Sequence, residues 1–166
     1  MNKIIIATMA ASVLIGAGVA KSSTTTANLA VNVTVQTNCV FTGGTVAATY
    51  LPGGGQVTAS NATALTVACS PDTNTPTISF GTGLTGTIAQ RLATLAGASL
   101  QYNLYTSAAG TTLLGNGTTG STVTVTGSTI AVPKAVPVYI IVPDNTNNQV
   151  LAAGSYTDTV VATLTF

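Results

Sequence analysis

The chain has 166 residues, of which 46% are hydrophobic and only 4% are charged, and its formal net charge is +1. So few charges argue against a nucleic-acid-binding protein, because phosphate binding needs clustered Lys and Arg, and the hydrophobic content argues against a disordered chain. The sequence has no His and only three acidic residues, so we expect no enzyme, no metal site and no cofactor.

Residues 1–20 are predicted to be a secretory signal peptide. Lys3 supplies the positive start, an apolar run follows over residues 4–15, and Gly18 and Ala20 are small residues suited to a cleavage site. The run is shorter than the roughly 20 residues of a membrane span and is diluted by Ala and Gly. We therefore expect export and no stable membrane insertion.

The N-terminal extension, residues 21–37, ends in a predicted β-strand over residues 27–37. Its apolar residues alternate with Ala, Asn, Thr and Gln, and they are Leu29, Val31, Val33 and Val35. A period of two places these side chains on one face of a strand. The polar residues 21–26 before it offer no pairing partner, so the strand fills a groove either in its own sheet or in that of a neighbour.

Cys39 and Cys69 are the two cysteines of the chain. An even pair in an exported protein is typical of one disulfide. We predict this bridge at the start of a single domain over residues 38–166.

Further short strands are predicted over residues 56–69, 76–80, 100–105 and 136–142. Asn116 and Gly117 predict a type I′ hairpin turn, and Pro137 predicts a sheet edge or a strand switch. Residues 88–95 have a helical period, but the segment is short and uncapped, so we predict a loop there. Many short strands separated by Gly, Pro and Asn are typical of a β-sandwich or barrel.

The last predicted strand covers residues 155–166. Its period-two pattern places four apolar side chains on one face: Val160, Ala162, Leu164 and Phe166. No residues of the sequence remain for a further strand, so we expect an open apolar sheet edge beside this strand. Asp158, near the start of this strand, is expected to form hydrogen bonds with backbone groups at the strand entry rather than to act as a catalytic acid.

Three stretches resemble the spore coat protein U domain family, which contains the major subunits of archaic chaperone–usher pili. They are TNCVFTG, LQYNLYTSAAGTTLLGNG, and PVYIIVP followed by AAGSYTDTVVATLTF. The resemblance implies an all-β, incomplete immunoglobulin-like β-sandwich that is completed by the N-terminal donor strand of a neighbouring subunit. It also implies a periplasmic chaperone and an outer-membrane usher as partners.

On this resemblance the chain is predicted to be a structural pilin subunit that forms surface filaments for adhesion and biofilm formation. Leu29, Val31, Val33 and Val35 would be the donor-strand plugs, and Val160, Ala162, Leu164 and Phe166 would line the acceptor groove. Strand donation of this kind is a known mode of β-augmentation. The alternative is a monomeric secreted coat protein, or a carbohydrate-binding β-sandwich, that fills its own groove.

Overall fold

A computed structural model describes residues 23–71 and 75–166 of the chain, so the predicted signal peptide over residues 1–20 lies outside the described residues. Within the described ranges the chain forms eight strands and one short helix. They are β1 Cys39–Gly43, β2 Val57–Cys69, β3 Thr77–Phe80, β4 Arg91–Leu95, β5 Ala98–Tyr105, β6 Val123–Thr124, β7 Lys134–Val142, α1 Thr146–Gln149 and β8 Ala162–Thr165. No helix in these ranges is long and apolar enough to cross a membrane.

The chain divides between Thr34 and Val35 into two units. The described part of the first unit, residues 23–34, contains neither helix nor strand, and neither do residues 35–38 before β1. The predicted plugs Leu29, Val31, Val33 and Val35 are 86, 71, 79 and 86% exposed. The predicted donor segment thus forms no strand in this single chain, and its donation to a neighbour stays a prediction.

Five antiparallel strands form one sheet in the order β1-β2-β7-β5-β4. β7 is an inner strand, so the expected edge position of Pro137 is wrong. The register between β2 and β7 shifts between Asn61 and Leu65, opposite Pro137. The missing N–H of the proline therefore falls at a bulge, where the hydrogen-bond ladder is already interrupted.

The second sheet has three strands in the order β6-β3-β8. Val67 of the first sheet and Ile78 of the second are fully buried in one core, together with Leu114. An immunoglobulin sandwich carries strands A, B, E and D in one sheet and C, F and G in the other. Here β1-β2-β7-β5 matches A-B-E-D and β3-β8 matches C-F. The fold is therefore an immunoglobulin-like sandwich in which no described strand occupies the G position beside β8.

Two local predictions are corrected by the turns. Residues 91–95 form β4 rather than a loop, because Ala96 and Gly97 reverse the chain into β5. Both have positive φ, 48° and 89°, which is the type I′ geometry. At the predicted type I′ site only Gly117 has positive φ, and the side chain of Asn116 instead accepts hydrogen bonds from the backbone of Thr118 and Thr119.

The C-terminal segment changes sheets instead of forming one continuous strand. Thr157 forms a two-way backbone bridge with Thr94 of the first sheet. Four residues later the carbonyl of Val161 accepts from the amide of Gly81, and β8 then pairs with β3 of the second sheet. The predicted strand over residues 155–166 is therefore divided between a bridge at Thr157 and the ladder of Ala162–Thr165 with β3.

Candidate functional site

The free edge of β8 is the feature that most clearly invites a partner. β8 pairs with β3 on one side, with Ile78 opposite Leu164 and Phe80 opposite Ala162, and no described strand pairs with its other side. Val160, Ala162 and Leu164 are half-buried and pack on the core, whereas Phe166 is 53% exposed. Three of the four predicted groove residues thus face the core from a strand with an unpaired edge.

A second open segment, residues 44–50, was missed by sequence reasoning. Val46, Ala48 and Tyr50 are half-buried against the same core cluster, while the intervening Ala47 and Thr49 are exposed. The backbone groups of residues 44–50 form no hydrogen bond to another described backbone group. The period-two pattern of TVAATY was the available signal. The sandwich therefore presents two unpaired, extended edges over one apolar core.

Tyr50, at the end of this second segment, is anchored to the loop after β7. Its hydroxyl donates to Asp144 at 2.5 Å, and the same carboxylate accepts from the amides of Gly53 at 3.1 Å and Gly55 at 2.8 Å. Desolvation and the hydrogen bond to Asp144 raise the pKa of Tyr50 to about 12. The hydrogen bond from Tyr50 is the main reason that the pKa of Asp144 lies below its usual value. The carboxylate thus fixes the end of the open segment.

Asp158 holds a loop in place, as predicted, and is not a free acid. It accepts from the amides of Leu84 at 2.8 Å and Thr159 at 2.7 Å, and from the hydroxyl of Tyr102 at 2.6 Å. A Cβ added at Gly83 would overlap this carboxylate. Burial, followed by the hydrogen bond to Asp158, raises the pKa of Tyr102. Every contact of Asp158 is therefore structural.

Arg91 of β4 is fully buried and is satisfied by backbone carbonyls. It donates to Gly81 at 2.7 Å and to Leu114 at 2.9 Å. Desolvation lowers its pKa. Among the described residues no group of three or more His, Cys, Asp or Glu side chains is arranged to hold a metal. The hydrogen bonds of Asp144, Asp158 and Arg91 thus hold loops of the scaffold in place.

The disulfide is confirmed and joins Cys39 of β1 to Cys69 of β2, which are opposite each other in the ladder. Just before it, the amide of Asn38 donates to Ser70 Oγ at 2.9 Å, and the amide of Ser70 donates to the carbonyl of Asn38 at 2.7 Å. The chain is therefore fixed to β2 and the residue after it by two hydrogen bonds of Asn38 and by the disulfide of Cys39.

Comparison with solved structures shows that this fold is similar to that of known chains. The crystal structure of the CsuC–CsuE chaperone–tip adhesion subunit pre-assembly complex, from archaic chaperone–usher Csu pili of Acinetobacter baumannii, contains a chain that matches with a TM-score of 0.51 and 18% identity. The match covers 80% of this chain but only 41% of that one. No curated protein is significantly similar to this chain.

A family model matches residues 25–163, which is nearly all of the chain outside the predicted signal peptide. The matched range includes the exposed alternating segment, the disulfide, both sheets and the first half of β8. The expected family is thus confirmed, and the chain belongs to the Spore Coat Protein U domain family.

Proposed function

We propose that the protein is a structural subunit of a chaperone–usher pilus and polymerises by donor-strand complementation. The family and the fold support a pilus subunit rather than an enzyme. The observation that carries the proposal is the unpaired edge of β8, whose half-buried side chains leave the apolar core incompletely covered. Exposed apolar edges favour pairing with another strand.

The N-terminal segment has the chemistry that this edge requires. Leu29, Val31, Val33 and Val35 are spaced to project from one face of a strand. Burying each of them would contribute about 1.5–3 kcal/mol. Their exposure of 71–86% in the single chain favours donation to a neighbour over insertion into the chain's own sandwich. In the proposed filament, the donor lies between β8 and residues 44–50 of the next subunit.

The proposed acceptor site is therefore wider than the four residues predicted from the last strand. Val160, Ala162, Leu164 and Phe166 would form one wall, and Val46, Ala48 and Tyr50 would form the other. The disulfide and the bonds of Asn38 hold the root of the donor segment close to its own sandwich. A mechanical force on the donor strand would therefore be transmitted directly to the first sheet.

Assembly would need the groove to be covered before polymerisation. The similar solved structure from Csu pili is a chaperone–subunit pre-assembly complex, and we propose an equivalent periplasmic chaperone for this chain. An outer-membrane usher would exchange that chaperone for the donor strand. The filament would then stand on the cell surface and serve adhesion and biofilm formation.

Surface material sheared from producing cells tests this proposal. Electron microscopy is expected to show filaments made of this chain. The filaments are expected to survive detergent at room temperature and to give a ladder of oligomers, then monomers, on heating, because strand exchange out of a closed sandwich is slow. A monomer on gel filtration of the native secreted protein would instead support the self-filled alternative.

A further inference from the structure

A polar cavity of about 210 Å³ lies on the outer face of the five-stranded sheet. Tyr102 and Leu104 of β5 point into the core, so the alternate residues of that strand face outward. Ile141 of β7 lies beside them, opposite Asn103. The hydrogen-bonding side chains of the cavity are Gln56, Gln90, Gln101, Asn103, Tyr105 and Asn145. None of its lining residues is charged.

Three of these amides are held in place by the protein. Gln101 Oε1 accepts from Asn145 Nδ2 at 2.7 Å, and Asn145 Oδ1 accepts from the amide of Asn148 at 2.9 Å. Asn103 Nδ2 donates to the carbonyl of Ala89 at 2.6 Å. Side chains fixed by such bonds can bind a ligand without first losing conformational freedom.

Several amide side chains that line the cavity keep unused hydrogen-bonding groups. Among the described residues, Gln101 Nε2 forms no hydrogen bond to protein, and neither do the exposed side-chain amides of Gln56 and Gln90. Asn103 Oδ1 also has no partner among the described residues, but it is buried too deeply to be reached from the cavity. A polar molecule in the cavity could accept from the amide N–H groups of these glutamines and donate to the side-chain oxygens of Gln56 and Gln90.

From this we infer that the cavity binds one unit of an uncharged saccharide. A sugar hydroxyl both donates and accepts, and carboxamides present both kinds of group. The absence of charge in the lining disfavours phosphates, carboxylates and ammonium groups as ligands. β5 is paired on both sides, with β4 and β7, so it offers no free backbone edge to an extended peptide.

This site is separate from the free edge of β8 and does not depend on the pilin proposal. If the chain does polymerise, the filament would carry one such cavity per subunit, and a polysaccharide could engage many of them together. Weak binding at each cavity would then suffice for firm attachment.

Saturation-transfer NMR on the mature chain, in whichever assembly state it is isolated, tests the inference. The probes are glucose, galactose, mannose and N-acetylglucosamine, with sialic acid, inorganic phosphate and triglycine as comparison compounds. We expect at least one neutral sugar to give saturable transfer and the comparison compounds to give none. The test variant is Gln56→Ala/Gln90→Ala, which removes no side-chain hydrogen bond that the described residues form and should therefore keep the fold.

This double variant should weaken sugar binding about tenfold, because it removes two hydrogen-bonding partners. The matched control is Asn147→Ala, which removes an exposed amide of α1 that does not line the cavity; its binding should equal that of the unchanged chain. Absence of transfer to every neutral sugar would overturn the inference. So would binding that is unchanged in the double variant, or binding of triglycine or an anion alone.

Discussion

At the scale of single residues, Asp144 is the side chain that most directly controls the shape of the proposed groove. It binds Tyr50 and the amides of Gly53 and Gly55, and Tyr50 ends the open segment over residues 44–50. An ionised carboxylate accepts more strongly from these three groups than a protonated one does. Loss of the Asp144 charge should therefore loosen one wall of the groove.

The stability of the folded chain should consequently depend on the protonation of Asp144. Its pKa is lower in the folded state than in the unfolded state, so its contribution is present above the usual Asp pKa of about 3.9 and is lost as the pH falls through the folded value. Asp144→Asn should lower the urea midpoint at about pH 7, and its difference from the unchanged chain should be smaller at about pH 2.

Tyr50→Phe is the control for this contact, since it removes the main cause of the lowered pKa. The two substitutions combined should cost little more than Asp144→Asn alone, because both remove the same interaction. If Asp144→Asn and the unchanged chain differ equally at both pH values, the carboxylate does not act through its charge.

Val33 tests the donor face at the same scale. Val33→Asp would place a carboxylate in the apolar groove of the neighbour, where burial of an unpaired charge costs several kcal/mol. We expect export to continue and filaments to disappear from electron micrographs. Asn32→Asp is the matched control, because it introduces the same charge one residue away on the polar face, and it should keep its filaments.

At the scale of elements, the strands with a clear period of two were predicted well. β2, β3 and β5 agree with their expected ranges to within two residues. β4 was missed because its pattern is defined by Arg91, a charged residue that the fold buries against the carbonyls of Gly81 and Leu114. Burial of that kind depends on distant segments and cannot be derived from local sequence.

The turns and the site show the same limit. A type I′ turn forms at Ala96-Gly97, where the pairing of β4 with β5 requires it. It does not form at Asn116-Gly117, where the Asn116 side chain accepts hydrogen bonds from the following backbone amides. The packing of Val160, Ala162 and Leu164 on the core followed from the pattern of the last strand, while their role as groove residues stays a prediction. The opposing segment over residues 44–50 did not, because no strand partner marks it within the single chain.

The turn between β4 and β5 offers a direct test of this pairing. Ala96 has a φ of 48°, a conformation that costs a residue with a Cβ about 1 kcal/mol. Ala96→Gly should therefore raise the free energy of unfolding by about 0.5–1 kcal/mol. Ala98→Gly, placed two residues later in β5, should lower it by about 0.5–1 kcal/mol. Equal losses in both variants, measured by urea unfolding, would contradict the turn geometry.

At the scale of the whole molecule, two properties favour assembly. The sandwich has an unpaired edge, and only 4% of the residues in the chain are charged. A surface with few charges gives little repulsion between copies. A long-lived filament would then owe its durability to slow release of the donor strand as much as to equilibrium stability.

The central claim is that an added strand completes this sandwich. The most direct test is the melting temperature of a chain that lacks residues 1–36, measured with and without the peptide ANLAVNVTVQT. A ligand that binds only the folded state at about 100 times its Kd stabilises it by roughly 2.7 kcal/mol. We expect a rise of roughly 8–10 °C with this peptide and none with a peptide carrying Val31→Asn and Val33→Asn. A truncated chain that is already soluble and monomeric, and that melts at the same temperature with either peptide, would contradict the account.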